Sequence, residues 1–199
     1  MRNKLLIFIV SYERKSYTQG TIKCLHKNKP EGSQIIVCDN GSTDGTREWL
    51  EENQEKYDLG LLFPEENLRV TGAWKLLTKY YSKEDFDYIL PLDNDGWLTP
   101  DKKWFDKCLS LFNIDPQIGS LGLEIRPNPG FYSMAMTPDP NYKNKIPHLD
   151  LEYYDTVYFA GFRLDKFPLW YSTMETWPHK FIGDKIGRHY NSLGYRTIQ

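Results

Sequence analysis

"QIIVCDNGSTDGTREWLEENQEKY", residues 34–57, changes character in its middle. Gln34 to Asp39 is a short apolar run rich in branched side chains, which reads as a buried strand. The Asn, Gly, Ser, Thr and Asp that follow stop the strand in a polar turn. The same Ser, Thr and Asp residues carry the chemistry that caps a helix N-terminus, and the segment continues as a helix to Tyr57. A strand, a polar turn and a helix in this order form one half of a crossover between parallel strands.

The pattern repeats on both sides. Leu5–Val10 is apolar and β-branched, and Thr18–His26 follows as a helix. Residues 59–63 form a third strand before a helical stretch from Val70 to Tyr81, and 87–92 form a fourth strand. Beyond it, Trp104, Phe105, Cys108, Leu109 and Phe112 recur at helical spacing. Buried runs separated by helices predict an α/β fold, with a mostly parallel, Rossmann-like central sheet flanked by helices. In such sheets ligands collect at the carboxyl ends of the strands. "SYE" at 11–13, "DNGSTD" at 39–44 and "DND" at 93–95 all fall there.

The second half is less regular. "IGSLGLEIRP" at 118–127 and "TVYFAGFRL" at 156–164 read as strands. The stretch 127–155 between them is rich in Pro, Asn and Tyr, and a loop of that length points to function. "FIGDKIGRHYNSLGYRT" at 181–197 reads as a helix with Gly194 past its end. A chain of 199 residues is expected to be a single domain. The apolar run near the start is too short for a signal-peptide core or a membrane span, so no transmembrane segment is expected. A net charge of -2 argues against a general electrostatic grip on nucleic acid and leaves a local basic patch open. Cys24, Cys38 and Cys108 are odd in number and lack zinc-site spacing, which suits reduced thiols in a cytoplasmic protein.

Asp93 and Asp95 close the fourth apolar run and are followed at once by Gly96. A simple turn is one reading of Asp-Asn-Asp-Gly. An EF-hand loop is excluded because its glycine stands at the sixth position and Gly96 comes too early. A haloacid-dehalogenase-like phosphatase would use Asp93 as nucleophile and Asp95 as acid/base. Trp97 replaces the threonine of that motif, however, and three strand-helix units precede it. A strand-end Asp-x-Asp can also hold Mg2+ or Mn2+ and leave coordination positions for diphosphate oxygens.

The segments "IFIVSYERKSYTQGTIKCL", "IIVCDNGSTDGTREWLEE", "NLRVTGAWKLL", "DYILPLDNDGWLTPD", "FAGFRLDKF" and "FIGDKIGRHYNSLGYR" occur in the order and spacing of one family. The chain resembles the family-2-type glycosyltransferases of the GT-A fold across nearly its whole length. That resemblance implies transfer of a sugar from a nucleoside diphosphate sugar, UDP-sugar favoured, to an acceptor hydroxyl. The transfer would be metal-dependent and proceed with inversion. The resemblance implies that Ser11, Tyr12 and Glu13 lie by the base and ribose, and that Asp39 hydrogen-bonds the base. Gly72 would let backbone approach the donor, Lys75 could meet a phosphate, and Asp44 is read as a helix cap. Asp93 and Asp95 become donor and metal ligands for Mn2+ or Mg2+, and Asp184 the catalytic general base. Residues 1–95 would form the nucleotide-sugar half, and 96–199 the acceptor half with its loop at 127–155.

Gly183 stands where the family has glutamate, and Arg69 and Lys75 replace its usual glycine and asparagine. Gly183 supports the alternative of a nucleotide-sugar or glycan-binding module without turnover. Trp97 and Trp177 are candidate stacking platforms, and His189 a candidate extra metal ligand, against ordinary packing roles. The acceptor stays open among glycan, protein, lipid-linked sugar and modified nucleic acid.

Overall fold

The computed structural model describes residues 4–81, 85–96, 98, 103–116, 118–122, 160–163 and 196–198. Strand β1 (Leu5–Ser11) leads to helix α1 (Lys15–Asn28), and β2 (Gln34–Asp39) to α2 (Thr46–Tyr57). Next come β3 (Leu59–Leu62), α3 (Arg69–Tyr80), β4 (Tyr88–Asp93) and α4 (Trp104–Ile114). β5 (Ile118–Gly122), β6 (Ala160–Arg163) and β7 (Arg196–Ile198) complete the described elements. Together the strands form one sheet in the order β3-β2-β1-β4-β6-β5-β7. Neighbours are parallel except that β6 runs antiparallel to β4 and β5.

The central strands carry near-continuous apolar runs because both faces of the sheet are covered. Leu5, Ile7 and Ile9 of β1, with Ile35, Val37, Leu90 and Leu92, pack against Ile22 and Leu25 of α1, Leu50 of α2 and Trp104 and Phe105 of α4. Phe8 points the other way and meets the edge of the Trp74 ring of α3, 4.9 Å between centroids. This alternation is the period-two geometry of a strand. Fully burying each such Ile, Leu or Phe contributes about 1.5–3 kcal/mol, so these runs fix the strand register.

Pro91 sits inside β4 and has no N–H to give. β6 pairs with Tyr88 and Ile89, two residues earlier, so the proline lies beyond that recorded pairing. The expected helix from Thr18 begins earlier, at Lys15, and the expected strand at 87–92 is displaced by one residue. β7 was not anticipated: a run of three residues is too short to show a period. No helix among the described residues is long and apolar enough to cross a membrane. The expected helix at 181–193 and the stretch 127–155 lie outside the described residues.

Candidate active site

Parallel pairing fixes which residues share an edge. Ser11 is opposite Asp39 on β2, and Val10 is opposite Asp93 on β4, so the carboxyl ends of three strands lie side by side. The chain leaves β1 toward β2 and β3, then crosses back to place β4 on the other flank of β1. That reversal makes the β1/β4 boundary the topological switch point, outside whose carboxyl ends such sheets bind ligands. The "SYE", "DNGSTD" and "DND" clusters therefore converge.

At the β2 end the aspartate is enclosed. Asp39 is 1 % exposed. Its Oδ2 accepts from Ser42 N at 3.2 Å and its Oδ1 from the Ser42 hydroxyl. Burial pushes the Asp39 carboxyl above its ordinary range; the Ser42 bonds pull it back, Asp44 pushes up and Arg47 pulls down. Asn40 ties the edge to α3, accepting from Leu68 N at 3.2 Å and donating to Arg69 O at 3.3 Å.

Two loops are stitched together beside it. Glu13 N donates to Ser42 Oγ at 2.9 Å, and Glu13 Oε1 accepts from Thr43 N at 2.7 Å and from Thr43 Oγ1 at 3.0 Å. These bonds hold Glu13 at φ 51, a left-handed conformation that costs a non-glycine residue about 1–2 kcal/mol. Asp44 Oδ2 accepts from Lys15 N at 2.7 Å, and its Oδ1 accepts from Thr46 N at 3.0 Å and from the Thr46 hydroxyl. Asp44 is thus not the expected N-cap, since Gly45 holds that position for α2 and Arg14 for α1; it accepts instead from the first residue of each helix. Burial works against ionisation of Asp44, yet its bonds from Thr46 and Lys15 prevail and hold the carboxyl below its ordinary value.

The β4 end is open. Asp93 and Asp95 are both exposed, on either side of a tight turn closed by Gly96 N donating to Asp93 O at 2.9 Å. Protein on the inner side desolvates Asp93 and raises its pKa; Asp95 adds to the rise and Arg14 opposes it. Arg14 Nη1 donates to Asp95 Oδ2 at 2.7 Å. Between the two aspartates, Asn94 is buried and points inward. Its Nδ2 donates to Thr18 Oγ1 at 3.3 Å and to Ser11 Oγ at 3.5 Å, while its carbonyl accepts from Thr21 Oγ1 at 2.8 Å. Ser11 and Thr18 share a further 2.7 Å hydrogen bond. This buried network fastens the Asp-Asn-Asp turn to α1.

The donor set fits a hard divalent cation. Two carboxylates one residue apart are solvent-accessible, and a protein cation already sits on one of them. Among the described residues no group of three or more His, Cys, Asp or Glu could hold a metal, at this pair or elsewhere. A cation held by two carboxylates keeps positions for ligand oxygens.

The remaining expectations divide. Tyr12 is 48 % exposed at the edge, available as a platform. The Ser11 hydroxyl faces the buried network rather than solvent. Gly72 is required by packing, since a Cβ there would lie 2.5 Å from Leu68 Cβ. Arg69 at φ 57 begins α3 immediately after Leu68. Lys75 is exposed on α3. Trp97, Trp177, Gly183, Asp184 and His189 lie outside the described residues. Arg14, Thr18, Ser42 and Asn94 were missed as site residues. Only their place within the quoted motifs could have drawn attention to them.

A profile for glycosyl transferase family 2 matches residues 6–168. Poly-beta-1,6-N-acetyl-D-glucosamine synthase of Staphylococcus aureus is 23% identical over 141 residues, which cover 71% of this chain and 29% of that protein. Among solved structures, a mannosyltransferase, PcManGT from Pyrobaculum calidifontis, in complex with GDP-Man and Mn2+, superposes with a TM-score of 0.69 at 17% identity. That match covers 99% of this chain and 54% of the other. Staphylococcus aureus TarS 1-349 in complex with UDP-GlcNAc gives a TM-score of 0.64 at 14% identity, over 98% of this chain and 55% of that one. The chain thus spans under a third of the curated relative and about half of these solved chains. Both solved neighbours share its fold, and with the profile covering most of the sequence, the chain belongs to glycosyl transferase family 2.

Proposed function

We propose that this domain transfers a sugar from a nucleoside diphosphate sugar to an acceptor hydroxyl, with a divalent cation at Asp93 and Asp95 and with inversion at the anomeric carbon. The observation that carries this reading is the meeting of Asp39, Asp93 and Asp95 at one edge of the sheet, beside the β1/β4 switch point. Family membership displaces the phosphatase alternative.

In this reading the base stacks on exposed Tyr12 and donates an imide N–H toward Asp39, which each oxygen's remaining lone pair can accept. The Ser42 segment has to give way for it, because Asp39 is enclosed. A UDP-sugar is favoured, although the neighbours described above carry GDP-Man in one case and UDP-GlcNAc in the other. The diphosphate lies toward Asp93 and Asp95, with Lys75 a further candidate phosphate contact. A bound Mn2+ or Mg2+ would supply Lewis-acid neutralisation of the departing diphosphate. Asp184 takes the acceptor proton while the hydroxyl oxygen forms its bond to the anomeric carbon and the bond to diphosphate breaks. One displacement inverts the configuration. A glycan, protein, lipid-linked sugar or modified nucleic acid remains eligible as acceptor, received by the 96–199 half.

The Gly183 substitution favours a second reading, a binding module without turnover. A panel of nucleotide sugars with Mn2+ separates the two. A transferase hydrolyses its donor slowly, and a module shows a thermal shift alone. Asp184→Asn is then expected to lower transfer by about a hundred- to ten-thousand-fold, the usual worth of a general base, with donor affinity spared. Parental turnover in that variant removes the assigned mechanism.

A further inference from the structure

Arg14 has no role in the reading above, yet it is the cation the fold places on the aspartate pair. It is the residue from which α1 springs, and its carbonyl accepts from Thr18 N at 2.9 Å. The first turn of α1 is fixed from two sides: Asp44 receives Lys15 N, and Thr18 belongs to the buried network with Ser11 and Asn94. Asn94 in turn anchors the residues on either side of it. The backbones of Arg14 and Asp95 are therefore held by one hydrogen-bonded assembly, although 81 residues separate them in sequence. The guanidinium also lies 5.4 Å from the centroid of the Tyr17 ring, which limits its freedom.

We infer that Arg14 is the resident counter-cation of the aspartate pair, so that a bare divalent cation competes with Arg14 for the Asp95 carboxylate. A cation that arrives chelated by a nucleoside diphosphate brings anionic oxygens that give Arg14 a replacement partner. The site thereby discriminates against the free ion and accepts the metal–diphosphate complex. Arg14 is a positioning residue in this scheme, and the inference rests on the metal role proposed for Asp93 and Asp95. Both side chains are about half exposed, at 52% and 42%. The ion pair is accordingly modest, and the competition it imposes is several-fold rather than absolute.

Mn2+ binding, followed by loss of the free-ion electron paramagnetic resonance signal, tests this without relying on turnover. Arg14→Gln is expected to bind Mn2+ alone about two- to fivefold more tightly than the parent. Saturating UDP should tighten Mn2+ binding by a smaller factor in the variant than in the parent, because coupling between two ligands is reciprocal. Arg14→Lys, which keeps the charge, should return toward parental values. Equal or weaker Mn2+ binding by Arg14→Gln overturns the inference. Asp95→Asn separates the two failures. If it loses Mn2+ while Arg14→Gln shows no gain, the metal role stands and the counter-cation role falls. If the parent binds no Mn2+ even with UDP, both fall.

Discussion

Asp39 and the Asp93–Asp95 pair stand at the ends of strands that flank β1, yet the fold treats them oppositely. Asp39 is enclosed and both its oxygens accept from Ser42. Asp93 and Asp95 face solvent, and Asp95 is satisfied by a charge, Arg14. A ligand at the first position can be met only by hydrogen bonding, on lone pairs that Ser42 leaves free. At the second it can answer charge with charge. The proposed function accordingly puts neutral recognition at the β2 end and ionic recognition at the β4 end. The buried Ser11–Thr18–Asn94 network lies between them and joins β1, α1 and the Asp-Asn-Asp turn.

The largest stability effect is expected where the enclosed end is pinned. Asp44→Ala removes acceptors for the first turns of both α1 and α2. Each cap is typically worth about 1 kcal/mol, so denaturant unfolding should show a loss near 2 kcal/mol. The native carboxyl titrates below the ordinary value of 3.8. Its contribution is therefore present above that pH and is lost as pH falls through the native pKa. A loss that persists unchanged at acid pH would mean that Asp44 acts by something other than its charge.

Asn94→Ala should cost less, about 1 kcal/mol, because it removes two long hydrogen bonds and leaves the Ser11–Thr18 bond in place. If the network spaces the two ends, this variant also binds UDP with Mn2+ more weakly, while Thr78→Ala on the outer side of α3 does not. Equal affinity of Asn94→Ala and parent would show that the ends are positioned independently.

Asp39→Asn is expected to change stability least. Its native pKa is raised, so ionising it opposes folding as pH climbs from the ordinary value to the native one, and that penalty persists above. Removing the charge should leave stability at neutral pH unchanged or slightly higher, while uridine nucleotide affinity falls. A marked destabilisation at neutral pH would make Asp39 a structural residue rather than a recognition one.

The central strands and the shared carboxyl edge were legible because apolar runs of 4–7 residues declare themselves and parallel crossovers dictate which ends align. The start of α1 was not, since Asp44, which accepts from its first N–H, comes 29 residues later in the chain. For the same reason Asp44 showed only half its role. Asp93 and Asp95 stand out in the sequence, whereas Arg14 looks like any surface cation until folding closes the 81-residue separation. Asn94 read as a turn residue, because nothing local shows that the middle of Asp-Asn-Asp faces inward.

The division between the two ends is tested most directly by titrating UDP calorimetrically into the parent and Asp95→Asn, with Mn2+ and with EDTA. The account predicts that Mn2+ strengthens UDP binding to the parent and that Asp95→Asn loses at least about tenfold of affinity in Mn2+, or ~1.4 kcal/mol. In EDTA the variant should bind no more weakly than the parent. Equal affinity of the two proteins in Mn2+, or the same loss in both media, would contradict an ionic role for the β4 end.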